Sequence, residues 1–364
     1  MIRVLQVVPN MQAGGLENFV MNIYRNINKN KVQFDFLVHY QEKKHFDDEI
    51  EQMGGKIYHF SLRDNNNLIK YIFELDKFYK SHPEYKIVHC HMSSIGFIHF
   101  LIAKKNGVKI RIAHSHNSNT EKTFKGFLKS IMIKPLKYIT TDNFACSTEA
   151  GKFLYKNHKF EIVPNAIDID KYRYNQEIRE RERRRLNIEN NLVIGHVGRF
   201  ELQKNHQYII DIFKEVLKEN SSAVLLLAGD GSLVEKIKNY ARKLNVLDNI
   251  RFLGVVKDTC NLYQVMDYFI LPSFFEGLPV VGIEAQVAGL KCLFSNRITQ
   301  EVKISYLAEF LDIGLEDITK WKNAILSSQK YNREQIYNSI KNTKYNAKTT
   351  AEWLEKFYIS KLSR

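Results

Sequence analysis

Short apolar runs alternate with helix-patterned segments along this chain, and the alternation starts twice. In the first half the runs are "RVLQVV", "FDFLVHY", "KIYHF", "KIVHCH", "IRIAHSH" and "DNFACS". After residue 190 they are "LVIGHVG", "AVLLLAG", "IRFLG", "DYFILP" and "KCLFS". Strand-length runs separated by helical patterns imply βαβ units and a parallel sheet. Two series predict an α/β chain of two doubly wound, Rossmann-like domains, and 364 residues are enough to build both cores. Between the series, "IVPNAIDIDKYRYNQEIRER" carries a Pro-Asn turn signal and then becomes polar, as an interdomain connection does. The expected domains are 1–170 and 171–345. From Ile313 onward only helical patterns such as "AEWLEKFYISKL" occur, so 346–364 is expected to be a C-terminal helix packing back on the first domain.

Ligands of open parallel sheets gather beyond the carboxyl ends of the strands. The expected chemistry therefore lies in strand-to-helix loops that line a cleft between two facing sheets. The loop and helix start in "VLQVVPNMQAGGLENFVMNI" suit an anion, because free N–H groups and the helix dipole point the same way. Gly14 and Gly15 are adjacent, however, and a dinucleotide fingerprint needs three spaced glycines.

The second half carries the more specific pattern. In "SFFEGLPVVGIEAQVAGL", Glu276 stands in a loop and Glu284 eight residues on inside a helix, a spacing that puts both carboxylates on one side of the element. Acceptor-only carboxylates suit hydroxyl-rich ligands. In "GHVGRFELQKNH", Gly198 ends a strand, and Arg199 and Lys204 follow in the loop, where two cations can converge on one diphosphate. A further glycine turn follows the strand in "LLLAGDGSL", at Gly229. Read alone, the glutamates fit a helix cap and a solvated side chain, and the cations fit an ordinary surface.

Together these residues resemble the retaining glycosyltransferases of family 4, which have the two-domain GT-B fold and include bacterial capsular and exopolysaccharide enzymes. The resemblance rests on the E-x7-E motif at Glu276 and Glu284, the Q-x-A-G run from Gln286 to Gly289, the cations Arg199 and Lys204, the G-G-x-E loop of Gly14, Gly15 and Glu17, and "VPNAIDIDKY". The last departs from the family's P-N-G-x-D element, with Ala166 where glycine is usual. The resemblance implies that Arg199 and Lys204 hold the donor diphosphate and stabilise the leaving group, so that no divalent metal or other cofactor is needed. It implies that Glu284 accepts the ribose hydroxyls and that Glu276 contacts the donor sugar. The backbone N–H groups of Gly277 and Leu278 would bind sugar or phosphate, and Gly14 and Gly15 would let the backbone approach the donor phosphates. His116, at a strand end in "RIAHSHNS", matches a histidine that contacts the donor sugar, with His114 and Glu17 as further candidates. The implied partners are a nucleoside-diphosphate sugar and a saccharide or lipid-linked acceptor.

Strand alternation puts His114 and His116 on one face. A metal site there has only two ligands in view, and "VHCHMSS", with His89 and His91, reads as structural. Asp168-Ile169-Asp170 spells the D-x-D metal signature of a different glycosyltransferase architecture, but it sits in the linker. The arginine run 179–185, interleaved with Glu180 and Glu182, reads as a solvated helix face.

The formal net charge of +14 admits nucleic acid, an anionic membrane surface or an anionic small molecule. Basic residues are spread along the chain without a nucleic-acid-binding motif, so a nucleic-acid partner is not expected. The segment "EKTFKGFLKSIMIKPLKYI" alternates Lys122, Lys125, Lys129, Lys134 and Lys137 with apolar side chains, as a helix lying on an anionic bilayer does, or one packed on a sheet. The four cysteines are widely separated in apolar runs and form no C-x-x-C pair, which suits reduced core residues of a cytoplasmic protein. No leader-like start and no membrane-length apolar run occur, so a cytoplasmic protein, peripheral on the inner face of the membrane, is expected. A nucleotide-sugar epimerase of the same fold is the alternative enzyme; it would need acid and base groups flanking the sugar, where this chain offers the transferase's glutamate spacing.

Overall fold

The computed structural model describes residues 1–12, 14–60, 68–92, 95–116, 133, 135–327 and 331–363, and of Lys137 only the backbone. The chain divides into two compact units, Met1–Ile167 with Thr343–Arg364, and Asp168–Asn342. Both crossings fall a few residues ahead of the expected 170/171 and 345/346. The reason is a backbone tie: Ile167 N–H donates to Tyr345 O at 2.9 Å and Ala347 N–H to Ile167 O at 2.9 Å, which holds both crossings to the first unit.

The first unit holds a seven-stranded sheet of β1 (Ile2–Val7), β2 (Val32–Val38), β3 (Ile57–His59), β4 (Ile87–Cys90), β5 (Ile110–Ser115), β6 (Asp142–Ala145) and β7 (Glu161–Ile162). Its order is β3-β2-β1-β4-β5-β6-β7, and every pairing is parallel. The second unit holds β8 (Val193–Val197), β9 (Val224–Ala228), β10 (Ile250–Gly254), β11 (Tyr268–Leu271), β12 (Lys291–Ser295) and β13 (Ala308–Leu311). Their order is β10-β9-β8-β11-β12-β13, again all parallel. The central strands β2, β9 and β11 are buried along their whole length, as strands covered on both faces must be. The sequence runs predicted eleven of these strands. The edge strands β7 and β13, "EI" and "AEFL", are too short and too polar to form a run.

In each unit the strand order reverses once, beside β1 and β4 in the first and beside β8 and β11 in the second. Loops leaving those two strands diverge to opposite faces and open a crevice at the carboxyl end. Helix Ala347–Leu362 covers one face of the first sheet, burying Ala351, Leu354 and Tyr358 against Val4, Ile87 and Ile112. Ala166 is buried in the same cluster and is absent from the non-glycine positions of positive φ, so its backbone needs no glycine. All four cysteines are buried and free. Among the described residues no helix is long and apolar enough to cross a membrane. The basic segment 121–138 lies almost wholly outside the described residues.

The arginine run differs from its expectation. In helix Gln176–Leu186, Arg179 and Arg183 stand one turn apart and reach the same carboxylate, Asp267 Oδ1 at 2.5 Å and Oδ2 at 2.6 Å. Arg179 also donates to Gln264 O and Met266 O, and Arg183 to Val265 O. Guanidinium forks here satisfy backbone carbonyls of the segment entering β11, so half of a charged helix is an internal clamp.

Candidate functional site

The carboxyl end of the second sheet gathers most of the residues singled out from the sequence. β8 runs into Gly198, Arg199 and a 3-10 turn at Leu202–Lys204, and Asn205 then takes a left-handed conformation (φ +56°) and starts helix His206–Glu219. That turn aims Lys204 across to the loop after β11, where Nζ donates to Glu276 Oε1 at 2.6 Å. Gln203 Nε2 donates to the other oxygen of Glu276 at 3.1 Å and to Phe275 O at 2.8 Å. The Lys204 and Glu276 side chains are 14% and 9% exposed, so the pair is poorly screened and either charge alone would be left uncompensated. Glu276 is therefore neither a helix cap nor a free carboxylate: it fixes Lys204. Arg199 is exposed.

Beside this pair a cavity of about 460 Å³ opens at the ends of β8, β9 and β10, lined by Gly198, Arg199, Gly229, Val255 and Val256 among others. Gly229 has φ +136°, and a Cβ there would collide with the carbonyl oxygen of Gly198. A side chain would also fill the cavity's wall, so glycine keeps the loops in contact and the space open.

Glu284 lies inside helix Val280–Val287, which begins after Pro279. Its Oε1 accepts from Tyr172 O–H at 2.9 Å and its Oε2 from Tyr263 O–H at 2.8 Å. Burial pushes the Glu284 carboxyl above its ordinary range, and the two phenols work against that shift. Tyr172 and Tyr263 were not singled out from the sequence, because each lies far along the chain from its partner. The two glutamates thus have separate partners. Leu278 is buried while Gly277 is part-exposed, and among the described residues neither backbone N–H has a hydrogen-bond partner. Gln286 is internal: it donates to Gly282 O and Val302 O and accepts from the N–H groups of Ile304 and Ser305. Asp168 and Asp170 have structural partners; Asp168 caps the short helix Ile169–Tyr172, and Asp170 accepts from the Tyr337 hydroxyl. His196 and His206, also unforeseen, are buried beside Lys204, and His196 Nδ1 donates to Ile270 O at 2.9 Å.

The carboxyl end of the first sheet is built from rings. Gln6 on β1 pairs in register with His89 on β4, and His89 with Ile112 on β5, so Gln6, His89, His91, His114 and His116 all fall on one face. His114 and His116 stack at 4.2 Å, and His89 and His91 at 4.4 Å. His89 and His91, expected to be merely structural, thus join the candidate residues in a single cluster. Phe19, from helix Gly15–Asn26, meets His91 and His114 edge-on. Burial holds His89, His91 and His114 well below the ordinary histidine range and His116 at about 4, so all four are neutral. Ring nitrogens of His89, His91 and His114 lie within 4.8 Å of one another, close enough to ligate a metal ion. All six of those nitrogens, however, are already hydrogen-bonded to protein groups.

Gly14 is extended at the N-cap of helix Gly15–Asn26. A Cβ there would collide with the carboxylate of Glu17, whereas one at Gly15 would meet nothing within 4 Å. Glu17 is buried and its carboxyl is pushed upward by burial.

Residues 13–171 match the family described as Glycosyltransferase Family 4, and residues 178–306 match Glycosyl transferases group 1. EpsF of Bacillus subtilis, a protein provisionally named a glycosyltransferase, is 34% identical over 89% of this chain and 86% of its own. An Escherichia coli UDP-Gal:alpha-D-GlcNAc-diphosphoundecaprenol alpha-1,3-galactosyltransferase is 27% identical over 81% of this chain and 80% of its own. The crystal structure of Anabaena HepE in complex with UDP superimposes with a TM-score of 0.81 at 15% identity, covering 99% of this chain and all of that one, a likeness of fold. With matches spanning both sheets and a relative of this identity, the chain belongs to glycosyltransferase family 4 and has its GT-B fold.

Proposed function

We propose that this glycosyltransferase moves a sugar, with retention of configuration and without a divalent metal, from a nucleoside-diphosphate sugar to a hydroxyl of a lipid-linked saccharide in cell-surface polysaccharide synthesis. The observation that carries the reading is the Lys204–Glu276 pair beside the glycine-lined cavity at the reversal point of the second sheet. In this reading the nucleoside enters that cavity and Glu284 takes the ribose diol in exchange for, or beside, the tyrosine hydroxyls. Arg199 and Lys204 neutralise the diphosphate as the bond from the anomeric carbon to phosphate oxygen breaks. Glu276 keeps Lys204 aimed and meets the sugar. The acceptor oxygen bonds to the anomeric carbon on the face the leaving group vacates, and its proton passes to the departing diphosphate. The acceptor class draws on the diphosphoundecaprenol acceptor named for the Escherichia coli relative. A peripheral place on an anionic membrane, through the basic segment 121–138, belongs to the same reading.

Calorimetry with UDP, GDP and ADP and the matching sugars tests it. One nucleotide series is expected to bind, with Arg199→Ala and Lys204→Ala weakening it and Glu284→Gln weakening nucleotide and nucleotide sugar alike. Glu276→Gln is expected to cut turnover more than it weakens free nucleotide. Turnover that persists in EDTA supports the metal-free reading; loss restored by Mg²⁺ or Mn²⁺ overturns it. Vesicle sedimentation that is unchanged when Lys122, Lys125 and Lys129 are neutralised together would place the membrane contact elsewhere.

A further inference from the structure

The turn that ends at Asn205 grips the loop after β11 along most of its length. Asn205 Nδ2 donates to Pro272 O at 3.2 Å, and the N–H of Phe274 donates to Gln203 O at 2.9 Å. Gln203 Nε2 donates to Phe275 O at 2.8 Å and to Glu276 Oε2 at 3.1 Å, while Lys204 Nζ donates to Glu276 Oε1 at 2.6 Å. One glutamine thus meets three consecutive residues of the facing loop, Phe274, Phe275 and Glu276. Its partners settle which way the amide points. A backbone carbonyl can only accept, so the nitrogen of Gln203 faces Phe275 O, and the second N–H of the same NH₂ group reaches Glu276. Turning the amide over would set Oε1 against Phe275 O, two acceptors at hydrogen-bond distance.

Lys204 by itself would leave the Glu276 carboxylate half controlled. A bond to one oxygen lets the group swing about its last torsion, whose energy well is broad. An ammonium on a flexible stem adds three N–H groups with no preferred plane. A donor on the second oxygen, tied to the backbone of the next residue along, fixes that plane. The amide also carries no charge, so a diphosphate that draws Lys204 toward itself leaves the amide bond as it was. A second cation at this position would compete for the diphosphate, and a carboxylate would repel Glu276.

We propose that Gln203 is a positioning residue of this site: its amide sets the plane of the Glu276 carboxylate and keeps it set when Lys204 engages the donor diphosphate. What Glu276 then does toward the sugar rests on the transferase reading above; the grip on the loop does not.

Calorimetry of the full-length protein with UDP, GDP and ADP and with the corresponding nucleotide sugars reads this role. Gln203→Leu keeps most of the side-chain volume but has no donor. It is expected to weaken the nucleotide sugar about tenfold, as loss of one hydrogen bond to a charged group implies, and the free nucleotide by less. Gln203→Glu sets a second carboxylate beside Glu276, so the two repel at about pH 8 and share one proton at about pH 5, where that proton restores the missing donor. Its affinity for the nucleotide sugar, taken relative to the unaltered protein at each pH, is expected to recover as pH falls, while that of Gln203→Leu stays low. Burial holds the neighbouring His196 well below the ordinary histidine range and His206 at about 4, so neither ring supplies a recovery over that interval. Nucleotide sugar bound equally by Gln203→Leu and the unaltered protein overturns the proposal. An equal loss for nucleotide and nucleotide sugar also overturns it, since that is general damage to the loop, as does a Gln203→Glu deficit that is the same at both pH values. If Gln203→Leu fails to fold, the pH profile of Gln203→Glu decides. No nucleotide binding by the unaltered protein overturns the transferase reading instead.

Discussion

The carboxyl ends of the two sheets solve the same problem with different materials. In the first unit the polar groups sit on the strands or directly at their ends, at Gln6, His89, His91, His114 and His116, and the pleat and register hold them. They are neutral rings, kept so by burial. In the second unit they sit on loops and a helix, at Arg199, Lys204, Glu276 and Glu284. There an ion pair and two tyrosine hydroxyls hold what the loops alone would leave loose. A strand positions a side chain through backbone hydrogen bonds and needs no charge, whereas a loop needs a side-chain partner. The neutral end is therefore exposed to acid, and the charged end to loss of a partner.

The sharpest test of that contrast is Lys204→Met, which keeps the stem packed over Gly198 but deletes the charge. Turnover is expected to fall roughly 10²–10³-fold, the cost of removing one preorganised charge from a developing anion. Turnover that survives would break the assignment of chemistry to the charged end. Next comes acid. Histidines depressed from 6.5 stabilise the fold above pH 6.5 and withdraw that support as pH falls toward their folded values, because the unfolded chain takes up protons first. His116 loses its share between about 6.5 and 4, and each such histidine steepens the decline by about 1.4 kcal/mol per pH unit. The first unit buries His89, His91, His99 and His114 and half-buries His116, and the second buries His196 and His206. Hydrogen exchange corrected for intrinsic rates is expected to show β4 and β5 losing protection at a higher pH than β8 and β11. Protection lost together, or first in the second unit, would break the comparison. The smallest effect is expected from Tyr172→Phe or Tyr263→Phe, each of which removes one donor from the Glu284 carboxylate. About 1.5–3 kcal/mol is the usual range for a hydrogen bond to a charged group. Nucleotide titration measures it, and a tighter complex with Tyr172→Phe would mean that its hydroxyl competes with the ribose.

Much of this arrangement is legible in the one-dimensional pattern. The runs around β2, β9 and β11 are apolar because these strands are covered on both faces, and burial of that kind leaves its mark on consecutive residues. The spacing of Glu276 and Glu284 and the parity of His114 and His116 are local as well, since helix and strand periods fix them. What the arginine run does is not legible, because Arg179 and Arg183 are recruited by Asp267, more than 80 positions away.

By itself the sequence determined two parallel-sheet units and which residue types wait at the strand ends, since periodicity and glycine turns act over a few residues. Only the tertiary structure decided what each of those residues does. Strand order brought Gln6, His89 and His114 side by side, the return of the last helix supplied Tyr358, and the loop after β11 supplied Glu276 to Lys204. A side chain's protonation and aim follow from the partner it meets in low dielectric, and that partner is chosen by the fold of the whole unit.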